Sequence, residues 1–141
     1  MIYYKPKHFR IEELVPPEIM TVLKDESLLV MDYRILKTID IIREYLNKPV
    51  IINTWHVGNG NRLYCGFRPH HTTVGAQYSQ HKFGRAVDCL IVGVKEYDSI
   101  RREILNHQNH FSYITCIEDK VNWLHIDCRA TDMQGIVLIN P

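Results

Sequence analysis

The sequence predicts one α+β domain over residues 1–141, a small antiparallel sheet with helices packed on one side. Three observations lead there. The length of 141 residues suits a single domain able to bury its own core. The first third carries apolar residues at helical spacing. The remainder carries short apolar runs at strand spacing, and the two regimes meet at Pro49.

In order, Phe9 to Leu14 reads as a short helical turn closed by Val15-Pro16-Pro17. Pro17 can open a second helix through Leu23, because proline is tolerated in a first helical turn. Met31, Ile35, Ile39, Ile42 and Leu46 then form one apolar stripe at steps of three and four, the strongest helix signal in the chain. Asn47 ends it and Pro49 forbids continuation. Val50-Ile51-Ile52 reads as a short buried strand. Asn53 to Gln80 is a long polar stretch, which in a small domain points to function. Trp55, Tyr64, Phe67 and Tyr78 within it suggest that it is ordered. Arg85 to Val92 is the next strand, Tyr97 to Leu105 a helix, and Tyr113–Ile117 and Trp123–Cys128 are two further strands. Gly135 to Ile139 adds an edge strand.

Composition narrows the function. Lys plus Arg is 17 against 16 for Asp plus Glu, a net charge of +1, which disfavours a protein that grips nucleic acid or an anionic membrane surface. No apolar run is long enough to span a bilayer. Met1 to Lys7 lacks the basic-then-apolar order of a secretory signal, so cytoplasmic synthesis is expected. The four cysteines have no CxxC spacing and read as reduced, mostly buried thiols.

Two segments carry chemistry: Ser79-Gln80-His81-Lys82-Phe83-Gly84-Arg85-Ala86-Val87-Asp88 and Trp123-Leu124-His125-Ile126-Asp127-Cys128-Arg129. Alternate residues of a strand share a face, so Trp123, His125, Asp127 and Arg129 point one way and Leu124, Ile126 and Cys128 the other. An Asp inside a strand, as at Asp88, needs a partner or a metal. His81, Asp88 and His125 together would make a two-His, one-carboxylate site, the ligand count of a catalytic zinc with one open position. Taken alone, each of these residues also fits a plain loop or core role.

The SxHxxGxAxD segment followed by a WxHxD strand resembles the zinc D-Ala-D-Ala carboxypeptidase family. That family is related to hedgehog domains and includes phage endolysin peptidases. Gly66-Phe67-Arg68 resembles the family's upstream Gly-aromatic-Arg element, and the likeness runs over roughly residues 9 to 129. The resemblance implies a hedgehog/D-Ala-D-Ala-peptidase-like fold and one zinc per chain, held by His81, Asp88 and His125. It implies that Arg68 clamps a substrate carboxylate, and that Asp127 orients a ligand histidine from behind. The expected activity is hydrolysis of bacterial cell-wall stem peptides by a monomer, as carboxypeptidase or endolysin-type endopeptidase. Such an enzyme would reach the wall on phage lysis. A non-catalytic zinc-containing binding module of the same fold is the alternative.

Two departures from the family pattern stand out. The dipeptidase-like members carry a glutamate three residues before the last histidine, and this chain has Asn122 there, which cannot take a proton. Glu118 is the substitute candidate for general base, with Asp119 beside it. The segment Asn53 to Cys65 also looks longer than the family's connection; His56, His70 and His71 in or near it read as solvated loop residues.

Overall fold

The computed structural model describes residues 3–141; Met1 and Ile2, the start of the segment read for a leader, lie outside it. A 3-10 turn at Ile11–Glu13 is followed by α1 (Pro17–Leu23), with a proline in its first turn as the sequence requires. A second 3-10 stretch, Lys24–Val30, leads into α2 (Tyr33–Leu46). Asp32 caps α2 by accepting a hydrogen bond from the Arg34 amide at 2.9 Å, and Asn47 closes it in the left-handed conformation. Within α2 the stripe is buried at Ile35, Ile39 and Ile42 and only partly buried at Leu46, while Met31 is buried but precedes the helix in extended conformation.

After β1 (Val50–Ile51) the chain forms no regular element until a 3-10 turn at Gln80–Phe83. It then enters β2 (Ala86–Ile91), α3 (Asp98–Asn106), β3 (Cys116–Glu118), β4 (Leu124–Asp127) and β5 (Val137–Ile139). The strand order is β1-β2-β4-β3-β5. Three pairings are antiparallel, but β5 lies parallel to β3. The sheet is therefore mixed, which corrects the expectation of an antiparallel one. Residues 119–136, between β3 and β5, hold all of β4, so the chain has room to return and lie alongside β3 in the same direction. The third strand also begins at Cys116 rather than Tyr113.

Register sorts the sheet into two faces. Val87 pairs with Ile126 and Ile126 with Ile117, and these join Cys89, Ile91, Leu124 and Cys128 in the same buried cluster as α2 and α3 residues such as Ile39 and Ile104. The opposite face carries Asp88 opposite His125, and Glu118 opposite Ile139. Extending the β3–β4 register by one residue sets Glu118 across from His125. Asp88, His125, Glu118 and Ile139 thus form one row across four strands. The register that seats apolar residues in the core lifts this row to the outer face.

The long loop is pinned from within. Arg62 donates to the Ile52 and Asp88 carbonyls at 2.8 and 2.9 Å, and the Asp88 amide donates to Cys65 O at 2.7 Å. The Phe67 amide donates to Leu14 O, and a Cβ on Gly66 would lie 2.0 Å from that same oxygen, so glycine is required there. No helix among the described residues is long and apolar enough to cross a membrane.

Candidate metal centre

His81 ends the long loop, Asp88 sits mid-β2 and His125 sits mid-β4. Between the first two, Gly84 turns the chain at φ +67°, packed so closely on Val30 O that a Cβ would lie 2.0 Å away. The result is convergence. One ligand atom from each of the three residues lies within 4.8 Å of the others, and no other such group of three occurs among the described residues. His81 Nε2 is 3.2 Å from Asp88 Oδ2, and His125 Nδ1 is 2.7 Å from Asp88 Oδ1. Around a tetrahedral zinc with bonds of about 2.1 Å, ligand atoms stand roughly 3.4 Å apart. The His81–Asp88 contact is close to that spacing, and the shorter His125–Asp88 contact would open to admit the ion.

The remaining ring nitrogens are already committed. His81 Nδ1 donates to Gly66 O at 2.8 Å. His125 Nε2 donates to Asp127 Oδ2 at 3.2 Å. With a metal bound, each bond would leave the opposite nitrogen, His81 Nε2 and His125 Nδ1, free to act as a ligand, and these are the two that face Asp88. This is the second-layer arrangement that orients histidine ligands. His81 and His125 are 2% and 5% exposed, and Asp127 is fully buried.

A ladder of alternating groups crosses the site: Arg129, Asp127, His125, Asp88, Arg68. Arg129 Nε lies 2.9 Å from Asp127 Oδ1 and 3.1 Å from Oδ2, and Arg129 Nη2 also donates to Oδ2. Arg68 Nη2 donates to Asp88 Oδ2 at 3.1 Å. Burial alone would raise the Asp88 carboxyl, but hydrogen bonds from His125 and His81 outweigh it and hold this group far below the usual carboxylate range. For Asp127 the balance is the same, with His125 and Arg129 as donors. Burial opposes charge on His125, yet its bonds to Asp127 and Asp88 raise its pKa to about 9. Without metal, this imidazole is held as a cation between two carboxylates.

Over the trio opens a cavity of about 410 Å³. Arg68, Glu118 and Arg129 line it together with the trio, and Trp123, Tyr78 and Ile139 add apolar wall. A hollow of about 530 Å³ over Leu105–His110 is larger, but no group of three metal ligands lies there.

His81, Asp88, His125, Arg68, Glu118 and Asp127 thus meet at one place. Glu118 reaches into the cavity, with Oε2 3.9 Å from His125 Nδ1. Asp119 does not: it lines a different hollow and lies 3.6 Å from Arg101 Nε. Asn122 is exposed in the β3–β4 turn and outside the cavity wall. Buried Arg101 fixes that turn by donating to the carbonyls of Val121 and Trp123. Arg68 is more engaged than a substrate clamp should be. Its Nε donates to Tyr64 O at 2.7 Å, its Nη1 lies 3.5 Å from Ser79 Oγ, and its side chain is 13% exposed. Sequence reasoning left Arg129, Trp123 and Tyr78 without a role in the cavity. The signal for the first two was present, since both share the face of His125.

No family model, curated protein or solved structure matches the chain.

Proposed function

We propose that the chain is a zinc metallopeptidase that hydrolyses peptide bonds of bacterial cell-wall stem peptides, on a hedgehog/D-Ala-D-Ala-peptidase-like fold. One observation carries the metal reading: His81 Nε2, Asp88 and His125 Nδ1 converge beneath an open cavity while the far nitrogen of each histidine is tied to an acceptor. A zinc ion bound there supplies a Lewis acid for a peptide carbonyl and brings a water's pKa near 7.

The chain's own groups would do the rest. Asp127 would hold the His125 ring in place through Nε2–H, and Arg129 would keep Asp127 ionised. Glu118, across the row from His125 and partly buried in the cavity wall, would take the proton from the attacking water and pass it to the leaving amine. Arg68, next to Asp88, would limit the negative charge of the ligand set. The stem-peptide substrate itself is supported by the resemblance of the two motifs.

The test is mass spectrometry of muropeptides and short D-Ala-terminated peptides incubated with zinc-loaded and chelator-stripped protein. New fragments in the zinc-loaded arm alone support the reading. Absence of cleavage over a broad pH range, with wall fragments still bound, would make the chain a non-catalytic zinc module.

A further inference from the structure

We infer that Arg129 is the residue with which this cavity captures a carboxylate of its ligand. The substrate class rests on the peptide reading above; the capture itself does not require turnover.

A guanidinium has five N–H donors on two usable edges. Arg68 spends all three of its nitrogens on Tyr64, Ser79 and Asp88 and is 13% exposed. Arg129 spends one edge only. Nε and Nη2 fork onto Asp127, and Nη1 has no hydrogen-bond partner among the described residues. Its side chain is 33% exposed and lines the cavity. The fork onto buried Asp127 also fixes the orientation of the group, since both carboxylate oxygens hold it in one plane. What remains is the Nη1–Nη2 edge, whose donor geometry matches a carboxylate bidentately.

Position supports the same assignment. The Arg129 amide donates to Asp127 Oδ1 at 3.1 Å, which curls the chain back so that the side chain stays at the site as β4 ends. Asp127 is then shared between His125 and Arg129. The carboxylate-binding edge is thereby registered to the metal ligands through one buried side chain, at a fixed offset from the reacting bond. A ligand carboxylate at Arg129 would lie in the same cavity that the metal ligands line, where a charge-assisted bond is stronger than in open water.

The probe is the stem pentapeptide L-Ala-γ-D-Glu-L-Lys-D-Ala-D-Ala in three forms: unmodified, C-terminally amidated, and amidated at the D-Glu α-carboxyl. Binding to zinc-loaded protein is read immediately after mixing from Trp123 fluorescence, with Trp123→Phe as the blank. For the native protein, one amidation should weaken binding on the order of tenfold, the loss of a charge-assisted hydrogen bond. In Arg129→Gln the same amidation should cost nothing, and Arg129→Lys, which keeps the charge without the fork, should fall between. Zinc content and melting temperature are measured for each variant. If Arg129→Gln loses metal or fold, the lysine variant and the amide series on native protein decide the matter. The inference is overturned if native protein binds none of the three forms, if neither amidation weakens binding, or if the penalty persists undiminished in the Arg129 variants. Discrimination between acid and amide without cleavage would sink the peptidase reading alone. Cleavage without Arg129-dependent discrimination would sink this inference alone.

Discussion

Replacing Asp127 by Asn should weaken zinc binding although Asp127 is not itself a ligand. Its carboxylate is fully buried and serves two donors, His125 Nε2 at 3.2 Å and the Arg129 fork. Asparagine keeps the shape but loses the charge and one acceptor, so either the imidazole or the guanidinium faces an N–H group. Loss of an outer-layer partner of a metal-bound histidine typically costs about 10–100-fold in affinity. The metal-free fold should suffer as well. Breaking a fully buried ion pair costs about 3–5 kcal/mol, but the Arg129 side chain is 33% exposed and can rehydrate, so about 1–3 kcal/mol is expected. At about 2–4 °C per kcal/mol for a domain of this size, a loss of about 2 kcal/mol lowers the melting temperature by about 4–8 °C. Chelator competition reads the first effect and thermal unfolding of stripped protein the second. An unchanged zinc affinity in a folded Asp127→Asn protein would refute the reasoning, because the His125 ring would then be oriented by something else.

Other consequences are equally direct. The raised pKa of His125, about 9 against an ordinary 6.5, means that the folded metal-free chain binds more protons than the unfolded chain between these values. That stabilisation is complete below 6.5 and lost as pH rises toward 9, so stripped protein should melt lower at about pH 8 than at pH 6.5. A melting temperature that holds or rises over this interval contradicts the His125 environment described above. Glu118→Gln should retain zinc and lower turnover by about a hundredfold or more, the usual range for a general base; an unchanged rate would remove Glu118 from the mechanism. Changing all four cysteines to Ser or Ala should leave zinc bound in protein that folds, since Cys89 and Cys128 lie in the core face of the sheet. Loss of metal from such a folded variant would show a thiolate ligand.

How much of this was legible in the sequence differs by residue. The stripe from Ile35 to Ile42 and the alternation around His125 are local periodicities, and such patterns survive into the fold because each side of an element sees one environment. The convergence of His81, Asp88 and His125 needed the family resemblance as well, since nothing local says that β2 and β4 are neighbours. The direction of β5 was not legible. Three residues carry no mark of parallel or antiparallel pairing, and the parallel ladder depends on where the chain is led by β4 and the loop after it. The 3-10 stretch Lys24–Val30 was missed for a related reason. It buries only Ser27 and Leu28, so it has no sustained period to detect. Arg129 was visible on the right face, but its free edge is a property of hydrogen-bond accounting in three dimensions. The same accounting shows Arg68 to be largely occupied, which its place in a motif could not reveal.

The central claim is the metal centre, and elemental analysis of protein purified without added metal tests it most directly. The account predicts one zinc per chain in the native protein and none in folded His81→Ala or His125→Ala. Zinc content that stays unchanged in both variants would contradict it.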